Sequence, residues 1–197
     1  LNQETTVGRL QLVDFDDVMN KHREIIYKRR RRLLEIGSDE VIHEEYKDDN
    51  LREEIIGYLH SEVEAMVSVR APQNFTEDEY EAIIKEFTKI IPFDQASQRE
   101  LMKNISKYTD SKEIISDLTD IIDQTYQARE KTMGEETVKQ IENYVVLSTV
   151  DEKWMEHLEN MDALKEGIWL RGDKNTVLSE YKKESFSMFE GLIDTVE

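Results

Sequence analysis

The sequence predicts an all-α fold, and three observations predict it. Glycine and proline are scarce, 7 and 2 in 197 residues, whereas a sheet-rich chain needs Gly, Pro, Asn or Asp at many turns. Apolar residues recur at steps of three and four over long stretches, the period of one helix face. Helix-start signals, in which a hydroxyl or carboxylate is followed three residues later by Glu, are spaced through the middle of the chain. Charged residues make up 36 % and hydrophobic ones 38 %, but the periodicity of the apolar set argues against disorder.

The first element runs from Leu10 to about Lys47. Phe15, Met19, His22, Ile26, Leu33 and Ile36 form a stripe with steps of three and four, with Arg29 inside it. Such a heptad-like seam suits packing along another helix. Gly37-Ser38 is where it would break or kink. The middle block, Asp48 to Gly134, reads as a compact module of three or four helices. Thr76 to Glu79 and Ser97 to Glu100 read as capping boxes, and Asp110 to Glu113 as a similar start. Pro72 and Pro92 fall in the gaps between helices, where they do no harm. Gly134 after Met133 reads as a C-cap.

The last block opens at Glu135. Leu147, Val150, Trp154, His157, Met161, Leu164 and Ile168 again step by three and four, and Phe186, Phe189, Ile193 and Val196 do so on a return helix. The short polar stretch from Arg171 to Thr176 lies between them. Two long helices with so short a connection are expected to lie antiparallel. There is no internal repeat and no low-complexity linker.

Charge and composition then remove function classes. A formal net charge of -18 argues against nonspecific nucleic-acid binding and, on average, against anionic lipid surfaces. There are no cysteines, hence no disulfide, thiol nucleophile or Cys-ligated zinc. No run of about 18 apolar residues exists to span a bilayer, and no signal peptide is visible. The chain begins with Leu and ends inside a helical pattern, so it reads as a piece of something longer. Gly167 and Gly172 have the offset of a phosphate loop, but Asp173 stands where that loop needs Lys, and Gly167 lies within a helical stripe. His22, His43, His60 and His157 have no metal-ligand spacing. No catalytic, metal or cofactor-binding residue is therefore predicted in this chain.

Two features have both a bland and a sharper reading. Lys28 to Arg32 is a run of five basic residues in an acidic chain. Five consecutive residues cover a whole helix circumference, so the bland reading is a solvated patch pairing with nearby acids. The sharper one is docking to an acidic partner surface or a membrane. Trp154 reads as a packing anchor within the hairpin seam, and Trp169, beside the tip, as either packing or a partner contact.

The strongest signal is a resemblance carried by two ordered motifs. Trp154, Glu156, His157, Leu158, Met161, Asp162, Leu164, Gly167, Ile168, Leu170, Arg171 and Gly172 match a string that resembles the SecA family of preprotein translocase motors. Glu180, Tyr181, Lys182, Glu184, Phe186 and Phe189 match its continuation. Near the start, Phe15, Asp16, Asp17, Val18, Met19, Asn20, Lys21, Arg23, Ile26 and Tyr27 resemble the family's scaffold-helix motif. The middle block resembles the family only in length and helicity.

The resemblance implies a division. Residues 1–47 would be the long helix of the helical scaffold, 48–134 the helical wing, and 135–197 the scaffold continued into a two-helix finger. Trp154, His157, Leu158, Met161, Leu164, Tyr181, Phe186 and Phe189 would pack the finger. Trp169, Arg171, Gly172, Asp173, Lys174 and Asn175 would form a fingertip that touches substrate or channel. The parent protein would be a bacterial ATP-driven translocase, cytoplasmic and peripheral at the plasma membrane. ATP and Mg would sit in its nucleotide-binding domains, before Leu1. Its partners would be those motor domains, the SecYEG channel and the preprotein, with no nucleic acid. An unpartnered seam would also allow a homodimer. One departure stands out: the family usually places a Tyr just after the Leu-Arg-Gly, where Asp173 stands here. The reading from a different class is a free-standing helical adaptor that binds partners along exposed seams.

Overall fold

A computed structural model describes residues 3–38, 42–70, 75–171 and 176–196; for 3–14, 70 and 169–171 it describes the helical backbone only. The elements are α1 (Gln3–Ile36), a 3-10 turn (Glu44–Tyr46), α2 (Leu51–Arg70), α3 (Glu77–Ile90), α4 (Gln95–Ile105), α5 (Ser111–Met133), α6 (Glu135–Arg171) and α7 (Val177–Val196). The fold is all-α, with no strand among the described residues. The chain divides into two compact units, Leu1–Asp49 with Ile141–Glu197, and Asn50–Gln140.

In the first unit, the predicted stripe is the face that α1 buries. Phe15, His22, Ile26, Leu33 and Ile36 are buried, and Met19 is half-buried. The helix stops at Ile36, at the Gly37-Ser38 break marked in the sequence and not at Lys47. Gly37 donates to the Leu33 carbonyl at 3.0 Å and Ser38 to the Glu35 carbonyl at 3.1 Å, which closes the last turn. α6 approaches closely at this point. A Cβ built on Gly37 would meet the end of the Asn143 side chain at 2.6 Å, so any larger residue there requires that side chain to shift. Beyond it the chain returns to the Glu35 carboxylate. That group accepts from the backbone N–H of Ile42 at 3.2 Å and of His43 at 2.9 Å, and from the His43 ring.

The basic run within α1 ties the unit together. Arg30 forms a two-point pair with Asp151 of α6, at 2.7 and 3.0 Å. Arg29 donates to the Val196 carbonyl at the end of α7 at 2.8 Å. This is a favourable place for a cation, since the helix dipole is negative there. Arg32 pairs with Asp49 at 2.7 Å, and Lys28 lies 3.9 Å from Glu45.

The second unit packs α2, α3, α4 and α5 around Val63, Val67, Ile83, Phe87, Ile105, Ile114 and Leu118, with others around them. Each such side chain contributes roughly 1.5–3 kcal/mol by leaving water. The start signals are placed as follows. At α3, the Glu79 carboxylate accepts from the Thr76 backbone N–H at 2.6 Å and from its hydroxyl at 3.0 Å. At α4 the expected cap moves: Asp94, not Ser97, is the N-cap, and its carboxylate accepts from the Ser97 N–H at 2.7 Å. A carboxylate one turn earlier, just after the Pro92 break, caps the first free amides before Ser97 is reached. Asp110 caps α5 through the Lys112 N–H at 3.0 Å. Gly134 is the C-cap of α5, at φ 87°, a value that L side chains rarely adopt. Pro72 lies outside the described residues.

Candidate functional site

The residues singled out by the two motifs meet in one place, the seam where α1, α6 and α7 share a core. Phe15 from α1, Met161, Leu164 and Ile168 from α6, and Val177 and Tyr181 from α7 form one buried cluster, with Met19 and Met188 against it. Helical periodicity explains why: on each helix these residues recur at three and four and so share a face. The Phe15 and Tyr181 rings lie 4.3 Å apart. Lys165 lies 3.7 Å from Asp16 and over the Phe15 ring at 5.9 Å.

One stretch along, the seam turns aromatic. The Tyr27 ring meets Trp154 edge-on at 6.3 Å. Trp154 stacks on His157 at 5.6 Å. The His22 Nδ1 lies 3.2 Å from the His157 Nε2. The His22 ring lies flat on Phe189 at 4.0 Å, with 2° between the planes. His22 and His157 are 6 % and 4 % exposed. Burial, and then the neighbouring His157, push His22 down to about 4. Burial also lowers His157. The Tyr181 hydroxyl is pushed up to about 12 by burial, with Asp16 and Asp162 adding to it. At neutral pH both imidazoles and the phenol are thus uncharged.

The remaining predicted residues are placed unevenly. Leu158 is half-buried. Phe186 is 60 % exposed, which corrects the expected packing of the return helix. Its buried face runs through Val177, Tyr181, Ser185, Phe189 and Leu192, and Phe186 lies off that stripe. The polar Ser185 in the stripe hid its true register. In the scaffold motif Asp16, Asp17, Asn20, Arg23 and Tyr27 are exposed, and Arg23 donates to Asn20 at 3.1 Å. At the tip, Trp169 and Arg171 lie in the last turn of α6, with nothing described of their side chains. Gly172, Asp173, Lys174 and Asn175 lie outside the described residues. Sequence reasoning missed His22 as a partner of His157, and Arg30 as the clamp on Asp151. Pairings so distant along the chain leave no local signature.

Among the described residues, no group of three or more His, Cys, Asp or Glu side chains is placed to hold a metal ion. No helix among them is long and apolar enough to cross a membrane.

Fold and site together define a helical framework: a three-helix unit that carries a closing hairpin, and a four-helix module. Residues 2–197 match the family model described as the SecA wing and scaffold domain. The chain is 34 % identical over 198 residues to the "Protein translocase subunit SecA" of Desulforudis audaxviator, covering 96 % of this chain and 20 % of that protein. It is 33 % identical over 193 residues to the SecA subunit of Streptomyces coelicolor, covering 96 % and 19 %. To that of Syntrophobacter fumaroxidans it is 31 % identical over 192 residues, covering 96 % and 21 %. The chain belongs to the SecA wing and scaffold family. It spans about a fifth of the length of the curated relatives it matches.

Proposed function

We propose that this chain is the wing and scaffold portion of a SecA-type protein translocase. The unit of α1, α6 and α7 is the scaffold, the α6–α7 hairpin its two-helix finger, and the unit of α2 to α5 the wing. One observation carries the reading: within a family match over residues 2–197, Phe15 of one motif and Met161, Leu164, Ile168 and Tyr181 of the other meet on a single buried seam joining α1 to the hairpin.

The mechanism follows from stiffness. Helices of 34 and 37 residues are about 50 Å and 55 Å long at 1.5 Å per residue. A close-packed seam between them transmits displacement with little local deformation. Movement delivered to one end of α1 by ATP-driven motor domains is carried to the hairpin as a rigid-body shift. The tip, from Trp169 to Asn175, then presses on the preprotein at the cytoplasmic mouth of the SecYEG channel. With Asp173 where the family usually has Tyr, the tip works through Trp169 or Lys174. The chain itself holds no nucleotide and performs no chemistry. ATP and Mg belong to the motor domains of the longer protein, which acts in the cytoplasm at the inner face of the membrane. The exposed Ile141, Tyr144 and Val145 on α6 fit contact with those domains.

Site-specific cross-linking from positions 169 and 174, in a full-length protein carrying this sequence, tests the finger. Adducts with the channel or the translocating chain are expected, and their absence at both positions overturns the finger assignment. ATP turnover by residues 1–197 alone would contradict the division of labour.

A further inference from the structure

The four histidines fall into two kinds. The His43 ring faces the Glu35 carboxylate, and the His60 ring faces Asp123 at 3.0 Å. His22 and His157 instead face each other, in the middle of the three-helix seam. Among the described residues no carboxylate is paired with either ring. From α7 come Phe189 against both rings and the nearby stripe residues Ser185 and Leu192, none of them titratable; Glu190, beside Phe189, is exposed. From α6 come Trp154 and, at the solvent edge, Lys153 and Glu156. These two pair with each other at 2.9 Å, so Glu156 is already matched by a cation. On α1 the ionisable neighbours Lys21, Arg23 and Glu24 are all exposed.

We propose that the His22–His157 pair is a proton-sensitive latch, at which acidification loosens α6 and α7 from α1. With both rings neutral, one N–H donates to the facing nitrogen and the contact is satisfied. A first added proton places a charge in the seam without a carboxylate partner, which is strongly unfavourable. A second sets two N–H groups against each other and breaks the hydrogen bond. The opened form exposes both rings to water, where imidazole takes up its proton at about 6.5. Closed, His22 takes it up only at about 4. The open form therefore gains on the closed one as the pH falls from about 6.5 to about 4. For His22 alone that difference is a factor of about 300. The latch stands on the three-helix core and holds whether or not the translocase reading does.

Imidazole NMR titration combined with amide hydrogen exchange of the 197-residue chain tests it. Both rings are expected to titrate below the ordinary histidine range. Amide protection along α6 near His157, corrected for intrinsic exchange, should fall by about two orders of magnitude in the same interval. In the double variant His22→Gln, His157→Gln that fall should flatten to less than about threefold. Rings that titrate near 6.5, or an undiminished fall in the double variant, overturn the latch. Should the double variant not fold, the unmodified chain decides. Loss of protection that begins near pH 6.5 and levels off where the rings of the closed form titrate supports the latch, and loss confined to pH values below that titration overturns it.

Discussion

Gly37 shows how a single missing methyl group lets two helices approach closely. With a Cβ 2.6 Å from the Asn143 side chain, Gly37→Ala overpacks the crossing of α1 and α6. It should cost about 1–3 kcal/mol, read as a lower urea midpoint. Phe186 and Phe189 test the register of α7 at the same scale. Phe189→Ala should cost about 3–5 kcal/mol, because a buried ring is removed from beside His22 and His157. Phe186→Ala should stay within about 0.5 kcal/mol of the parent, as exposed substitutions do. Equal effects would mean that the buried stripe is not the one through Tyr181 and Phe189. Sequence reading placed Phe189 correctly and misplaced Phe186, because in a two-turn window both lie on an apolar-looking face. Only the neighbours α1 and α6 decide which is covered.

Helix starts are the features most legible from sequence, and α4 shows where that legibility ends. Thr76 and Asp110 open α3 and α5 where local chemistry indicates. Ser97, with Glu at the right spacing, looks like an equally good start, yet Asp94 takes the cap. Both are valid local signals, and the cap in place is the earlier carboxylate. Asp94→Ala should therefore cost about 1 kcal/mol in thermal unfolding, and Ser97→Ala no more than about 0.5 kcal/mol. The reverse order would restore Ser97 as the cap. The basic run of α1 belongs to this scale too. Lys28 to Arg32 covers the helix circumference, and neighbouring elements take up most of it: Asp151, the α7 terminus, Asp49 and Glu45.

For the molecule as a whole, acid should be the telling variable. His22 is lowered to about 4 by burial and by His157, so the unfolded chain binds its proton more readily than the folded one. Stability is fully present above about pH 6.5 and declines as the pH falls toward about 4, by at most about 3 kcal/mol from this ring. Urea unfolding followed by tryptophan emission at several pH values checks the sign; a midpoint that rises on acidification would refute it. What the sequence determined by itself is the all-α class, the two apolar stripes, most of the caps and the family motifs, since these depend on residues within a turn or two of one another. What only the tertiary structure decided is that α1 and the hairpin share one core, that His22 meets His157, and that Arg30 meets Asp151. Each of those joins residues roughly a hundred or more positions apart, and helical periodicity states which face is buried but not against what.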